Sequence, residues 1–217
     1  MAAKRTYDDP CGVARALDLV GERWALLVVR ELLLGPKRFT DLRLGLPAAS
    51  QNVLTHRLRE LEASGVVHRR KLGPPAGSWA YELTEIGYDL EPVVLSLARW
   101  GSRLPMTAGT DLSVDALIIA LKTAYDPAAD PELRGAFGLQ LGDDVFHAEV
   151  ADSRVALARG RATSPDATIE TSAAVFRSLV FGGHRLADAD AKVGGDGELM
   201  ARFLALFPRP KPARSAS

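Results

Sequence analysis

One stretch constrains this chain more than any other: Ala49–Gly65, ASQNVLTHRLRELEASG, followed at once by VVHRRKL. Ser50 is a good helix N-cap, and Gly65 suits the left-handed position that closes a helix. Between them Leu54, Leu58 and Leu61 recur at helical spacing and form one apolar stripe. The opposite side carries Asn52, Thr55, His56 and Arg59, with Gln51 at the amino-terminal edge. These are amide, hydroxyl, imidazole and guanidinium groups, the types that read base edges in a DNA major groove. Arg57 lies nearer the stripe and is expected to snorkel or to touch the DNA backbone. Two strand-like runs, VVHRRKL and SWAYEL, flank a Pro/Gly tip at residues 73–77. A helix that leads straight into a basic hairpin predicts a winged helix-turn-helix.

The preceding residues supply the rest of such a unit. Val13, Ala14, Leu17 and Val20 fall on one face of a helix expected over Cys11–Val20, which Gly21 breaks. A second helix is expected from Glu22 to about Leu34, burying Trp24, Leu27, Val28 and Leu32 and ending at Gly35-Pro36. Phe39 to Leu44 makes a short third helix closed by Gly45, and Leu46-Pro47-Ala48 is the turn into the opening stretch. Helix, short turn, helix is the DNA-binding supersecondary unit. After the hairpin, Thr84 caps a helix expected to run to about Leu104. Its Ile86, Leu90, Val93, Leu97, Trp100 and Leu104 are spaced 4, 3, 4, 3 and 4, a seam for a partner helix. Pro92 is expected to kink it or leave a carbonyl unpaired.

At 217 residues the chain has room for two small domains. The net charge of zero hides a split: residues 1–105 hold 15 Lys and Arg against 12 Asp and Glu, a balance of +3. Residues 106–217 reverse it, 12 against 15. The single cysteine, Cys11, excludes an internal disulfide. The amino terminus has no apolar core of signal-peptide type, and the longest apolar run, Trp24–Val29, falls well short of the roughly 20 residues that span a bilayer. A soluble cytoplasmic protein without a membrane partner is expected.

Beyond residue 112 the pattern changes. One helix is expected over Leu112–Ala124, then a β-meander with strands at 135–141, 145–150 and 154–161 and turns at Gly142-Asp143-Asp144 and Ala151-Asp152-Ser153. A strand at Asp166–Thr171, a helix capped by Ser172, a short strand at Ala191–Val193 and a helix capped by Asp196 complete it. The fold class expected is an N-terminal winged helix, mainly α with a β-wing, plus a C-terminal α+β domain with an antiparallel sheet. The boundaries expected are a flexible 1–10, a DNA-binding domain over 11–105, a linker at 106–111, the α+β domain over 112–208 and a disordered tail at 209–217.

The segments CGVARALDLVGERW, VVRELLLGPKRFTDL, SQNVLTHRLRELEASGVVHR and YELTEIGYDLEPVVLSLARWG cover residues 11–101 almost without gaps. They resemble the HxlR family of bacterial winged-helix transcriptional regulators. The resemblance implies a homodimer joined through the first and last helices of the domain, a recognition helix at 50–64 and a wing at 66–83. Some members of that family sense oxidants or electrophiles through a cysteine in this region, which makes Cys11 a candidate redox residue. Asp8 and Asp9 would raise its pKa and Arg15 would lower it; the plain alternative is a small, partly buried residue in a dimer-forming helix. In the second half, DATIETSAAVFRSLVFG and AKVGGDGELMARFLALF resemble the sterol-carrier-protein-type lipid-binding fold, an α/β unit with a curved sheet and an apolar cavity. Plain HxlR proteins stop near residue 110, so this second domain is a departure.

The residues expected to act follow from these readings. Gln51 and Asn52 suit adenine, Arg59 suits guanine or a phosphate, and Ser50, Thr55 and His56 share their face. Lys37 and Arg38 are candidate phosphate clamps, and His68, Arg69, Arg70 and Lys71 candidate phosphate or minor-groove contacts, each against the alternative of a solvated surface. Val13, Leu17, Ile86, Leu90, Val93, Leu97 and Trp100 are the candidate dimer contacts. Leu139, Leu141, Phe146, Ile169, Phe176, Leu179, Val180 and Phe203 form either a plain core or the lining of an apolar pocket. His147 and His184 are isolated, and the chain has no nucleophile–base pair and no phosphate-cradling loop, so neither a metal, a cofactor nor an enzyme is expected. The expected function is a homodimeric DNA-binding regulator on a palindrome-like operator, with a small hydrophobic effector for the second domain. The alternative is a lipid or hydrophobic-metabolite binding protein whose winged helix is an interaction module.

Overall fold

The structure is a computed structural model that describes residues 6–73, 77–105 and 112–209. The hairpin tip at 74–76, the expected linker at 106–111 and most of the expected tail lie outside those residues. The chain divides into two compact units, Met1–Val94 and Leu95–Ser217.

In the first unit α1 spans Gly12–Val20, α2 Ala25–Leu32, α3 Phe39–Gly45 and α4 Gln51–Ala63. The second of these starts later than the sequence suggests. Trp24 sits at φ 77°, in the left-handed region that a bulky side chain enters only at a cost, so helical geometry begins at Ala25. That shift settles the buried face as Ala25, Val28, Val29 and Leu32, all fully buried, and turns Leu27 outward. Gly35 closes the segment at φ 124°. The apolar stripe of α4 is as expected: Leu54, Leu58 and Leu61 are buried, the Ser50 hydroxyl accepts the Val53 N–H, and Gly65 takes φ 73°.

Strands β1 (Val67–Lys71) and β2 (Trp79–Leu83) pair antiparallel, with Val67 opposite Leu83 and Lys71 opposite Trp79. Lys37 joins them through its main chain, exchanging two N–H···O bonds of 2.9 and 2.8 Å with Tyr81. The wing is therefore tied to the segment that leads into α3. Thr84 is pinned twice, its hydroxyl donating to the Gly65 carbonyl (2.6 Å) and accepting the Gly87 N–H (3.2 Å).

The single helix expected from Thr84 onward is instead two, α5 (Glu85–Tyr88) and α6 (Glu91–Gly101), with α6 crossing from the first unit into the second. Pro92 accounts for the break. Its missing N–H and fixed φ suit the first turn of a helix and not an interior, so a new helix starts one residue before it.

The second unit opens with α7 (Val114–Ala124), capped by Ser113, whose hydroxyl accepts the Ala116 N–H. Strands β3 (Gly135–Leu141), β4 (Asp144–Ala151) and β5 (Arg154–Arg159) form the expected meander. Asp152 and Ser153 both take positive φ, as a tight two-residue hairpin requires. Then come β6 (Ala167–Thr171), α8 (Ala173–Phe181), β7 (Ala191–Gly195) and α9 (Gly197–Ala205). The sheet order is β5-β4-β3-β6-β7; its neighbours are antiparallel except β3 and β6, which run parallel. Helix α9 packs on the sheet through Phe203, stacked on Phe137 of β3 at 4.1 Å between centroids and edge-on to Phe207 at 5.1 Å. Arg159 holds α7 to the sheet, bonding both carboxylate oxygens of Asp115 (2.8 Å each), the Asp144 carboxylate and the face of Phe146.

Candidate nucleic-acid interface

Helix α4 presents two chemically distinct sides. Gln51, Asn52, His56 and Arg59 are exposed and Thr55 is half-buried, all on the side away from the leucine stripe. Arg57 is withdrawn from this set. It is 9% exposed and its guanidinium meets Glu60 one turn on and Glu22 (3.5 Å) from the α1–α2 turn. Glu60 also faces His56, with Nδ1 to Oε2 at 3.3 Å. Glu22, Arg57, Glu60 and His56 thus form a chain of four groups from the α1–α2 turn to the reading face. Ser50 is exposed, but its hydroxyl is already engaged in capping.

Lys37 is drawn into an ion pair within the fold. Its ammonium lies 2.6 Å from Glu31, a carboxylate with no exposed surface, and its own side chain is 11% exposed. Arg30 meets the other Glu31 oxygen at 2.7 Å. A buried carboxylate demands such partners, and the lysine nearest in sequence supplies one. Arg38 is exposed, with its backbone N–H bonded to Asp41 (3.1 Å) at the start of α3.

The four cations of the wing are sorted by strand alternation. His68 and Arg70 share one face with Glu82, whose Oε2 lies 3.4 Å from His68 Nε2 and 3.0 Å from Arg70 Nε. Arg69 lies on the other face, its guanidinium carbon 5.3 Å from the Trp79 ring centre and 5.5 Å from that of Tyr81. Lys71, opposite Trp79, is exposed. Burial, reinforced by Glu82, holds the nearby Tyr88 phenol above its ordinary pKa. Glu22, Glu31, Glu60, Glu82, Trp79 and Tyr81 shape this interface and were not singled out by their sequence. The alternation of β1 with the register of the hairpin carries the signal for the wing residues.

Val13 and Leu17 of α1, Ile86 of α5, and Val93, Leu97 and Trp100 of α6 are exposed apolar side chains; Leu90 is half-buried. Cys11 is exposed at the N-cap of α1, and the backbone N–H groups of Ala14 and then Val13 hold its thiol below the usual pKa. Neither expected neighbour, the acidic pair nor Arg15, is the main cause.

Of the two readings open for the apolar residues of the second unit, plain core holds for most of them. Leu139, Leu141, Phe146, Ile169, Phe176 and Phe203 are at most 2% exposed and interlock between sheet and helices. Leu179 and Val180 do reach an opening, a cleft of about 250 Å³ between α8 and α9 that Leu186, Leu204 and Phe207 also line. His184 borders this cleft, and His147 lies 3.4 Å from the Gly160 carbonyl. Among the described residues, no three His, Cys, Asp or Glu side chains are grouped to hold a metal ion, and no helix is long and apolar enough to cross a membrane.

A family model described as HxlR-like helix-turn-helix matches residues 19–108. The uncharacterized HTH-type transcriptional regulator YybR of Bacillus subtilis (strain 168) is 41% identical over 91 residues, which make up 42% of this chain and 73% of that protein. YdeP of the same strain is 40% identical over 93 residues, 43% of this chain and 73% of its own length. Among solved structures, the redox regulator HypR in its oxidized form is 38% identical, covering 45% of this chain and 100% of that one, with a TM-score of 0.42.

Proposed function

The chain belongs to the HxlR-like helix-turn-helix family of DNA-binding transcriptional regulators, and we propose that it acts as a homodimer that reads a palindrome-like operator through α4. The observation that carries this reading is the division of α4 into a buried leucine stripe and an exposed amide, imidazole and guanidinium face. In this motif the amino-terminal residues of the second helix reach the bases, which makes Gln51 and Asn52 the primary readers and Arg59 a guanine or phosphate contact. Arg38 and the wing cations contact the duplex beside the α4 site, those that meet phosphates positioning it. The exposed apolar residues of α1, α5 and α6 support a two-fold pairing of chains, and two-fold pairing calls for a palindrome-like site. Such a regulator works beside the chromosome, in the cytoplasm.

The test is selection of duplexes from a random pool with the full chain, followed by mobility shift on the recovered sequence. The expected result is tight binding that weakens steeply with salt. Asn52→Ala combined with Arg59→Ala should cost at least about 30-fold, from two contacts of roughly 1–3 kcal/mol each. Equal binding by the double variant refutes the assignment of α4.

A second reading concerns the carboxy-terminal unit, whose order of helix, meander, strand, helix, strand and helix supports a sterol-carrier-like classification. The α8/α9 cleft favours a small apolar effector there. Regulation would require that the ligand bind the DNA-bound and free states with different affinity. Native mass spectrometry of freshly purified protein reads both a dimer mass and any co-purified small molecule; bare protein alone would leave the cleft without an occupant and sink this reading.

A further inference from the structure

The wing carries four consecutive cationic or titratable residues, and the hairpin divides them unequally. On one face Glu82 answers both His68 (3.4 Å) and Arg70 (3.0 Å). On the other, Arg69 lies against two aromatic rings of the opposite strand, Tyr81 directly across from it and Trp79 on the diagonal. Among the described residues, Arg69 and Lys71 make no ion pair. A guanidinium against aromatic faces keeps its full positive charge and its donors while losing rotational freedom. Trp79 is 56% exposed, far more than an indole needs to be if it merely completed a core.

We propose that the wing meets duplex DNA with its Arg69–Lys71–Trp79 face, that Arg69 is a specificity-determining residue for the minor groove flanking the α4 site, and that Trp79 is a positioning residue that holds its guanidinium in place. This rests on α4 being the reading helix. The charge is complementary to phosphate-lined grooves, whereas the opposite face is neutralised by Glu82. A narrow, A·T-rich minor groove has the most negative potential and draws an arginine in, so the preference appears as A·T steps beside the central motif. A guanidinium already oriented by rings loses less freedom on entering the groove than a free one.

The experiment is the same random-duplex selection, run with the full-length wild type, R69A, R70A, W79L and W79F, with affinities measured on the wild-type winner. The wild type recovers a central motif flanked by A·T-rich steps. R69A keeps the central motif, loses the flank preference and binds about tenfold more weakly. W79L relaxes the same flank at a cost of about threefold, and W79F, which restores an aromatic face, behaves as wild type. R70A retains the flank preference. Melting midpoints within a few degrees of wild type establish that the exposed Trp79 was replaced without unfolding. The proposal is overturned if R70A and not R69A loses the flank preference, if R69A and the wild type recover the same flanks, or if W79F fails along with W79L. A wild type that recovers no central motif overturns the α4 reading instead.

Discussion

Single residues decide what each half of the interface is free to do. Glu31 is the sharpest case, because a fully buried carboxylate between Arg30 and Lys37 holds the end of α2 to the approach to α3. Glu31→Gln removes the buried charge that meets both the Arg30 guanidinium and the nearly buried Lys37 ammonium. The expected cost is about 3–5 kcal/mol, read as a drop in the urea midpoint of the amino-terminal unit; a loss under about 1 kcal/mol would mean that the pair contributes little. The sequence offered Lys37 as a phosphate clamp because a lysine before a helix resembles one, and only folding brings Glu31 to it. Cys11 is the second case. Because the Ala14 and Val13 N–H groups favour its thiolate, its pKa is lowered in the folded chain. The thiolate fraction therefore rises through a lower pH in the native protein than in the unfolded chain. Iodoacetamide alkylation followed against pH should show a native midpoint below that measured in urea, and coincident midpoints would remove this basis for reactivity.

At the scale of elements, legibility tracks how local the determining signal is. Helix α4 was readable throughout, since its cap, stripe and closing glycine all lie within 17 residues, Ala49–Gly65. The heptad seam after the wing was readable as a pattern but not as a single helix, because Pro92 competes with it and starts a new helix at Glu91. The seam survives this break as exposed side chains, Val93, Leu97 and Trp100 being 50%, 48% and 62% exposed. On the proposed two-fold pairing, Leu97→Asp should convert a dimer to a monomer by light scattering. It should also roughly halve the salt dependence of operator binding, as half the phosphate contacts are lost. A variant that stays dimeric would place the subunit contact elsewhere. Helix α2 starts at Ala25 and not at Glu22 for a similar reason, in that apolar periodicity does not report the left-handed φ of Trp24.

At the scale of the molecule, two units carry two separate cores, and each should fail by its own route. Phe203→Ala removes the stack on Phe137 and the edge contact with Phe207 from the second core. A loss of about 3–5 kcal/mol should lower the melting of that unit by more than about ten degrees and leave operator affinity at low temperature unchanged. A parallel loss of affinity would show that the two units act as one. By itself the sequence determined the helix-turn-helix order, the caps, the wing and the family, because caps, glycines and apolar spacing act over one or two turns of chain. It also determined the order of helices and strands in the second unit. Tertiary structure alone decided which charged groups remain free. Lys37 goes to Glu31, Arg57 to Glu22 and Glu60, and His68 and Arg70 to Glu82, while Arg69 goes to two aromatic rings. The parallel placement of β6 beside β3, and the burial as plain core of most of the residues that could have lined a pocket, were decided the same way. The physical reason is common to all of these: partners for a charge or a ring come from residues distant along the chain, and no local pattern encodes which of them will meet.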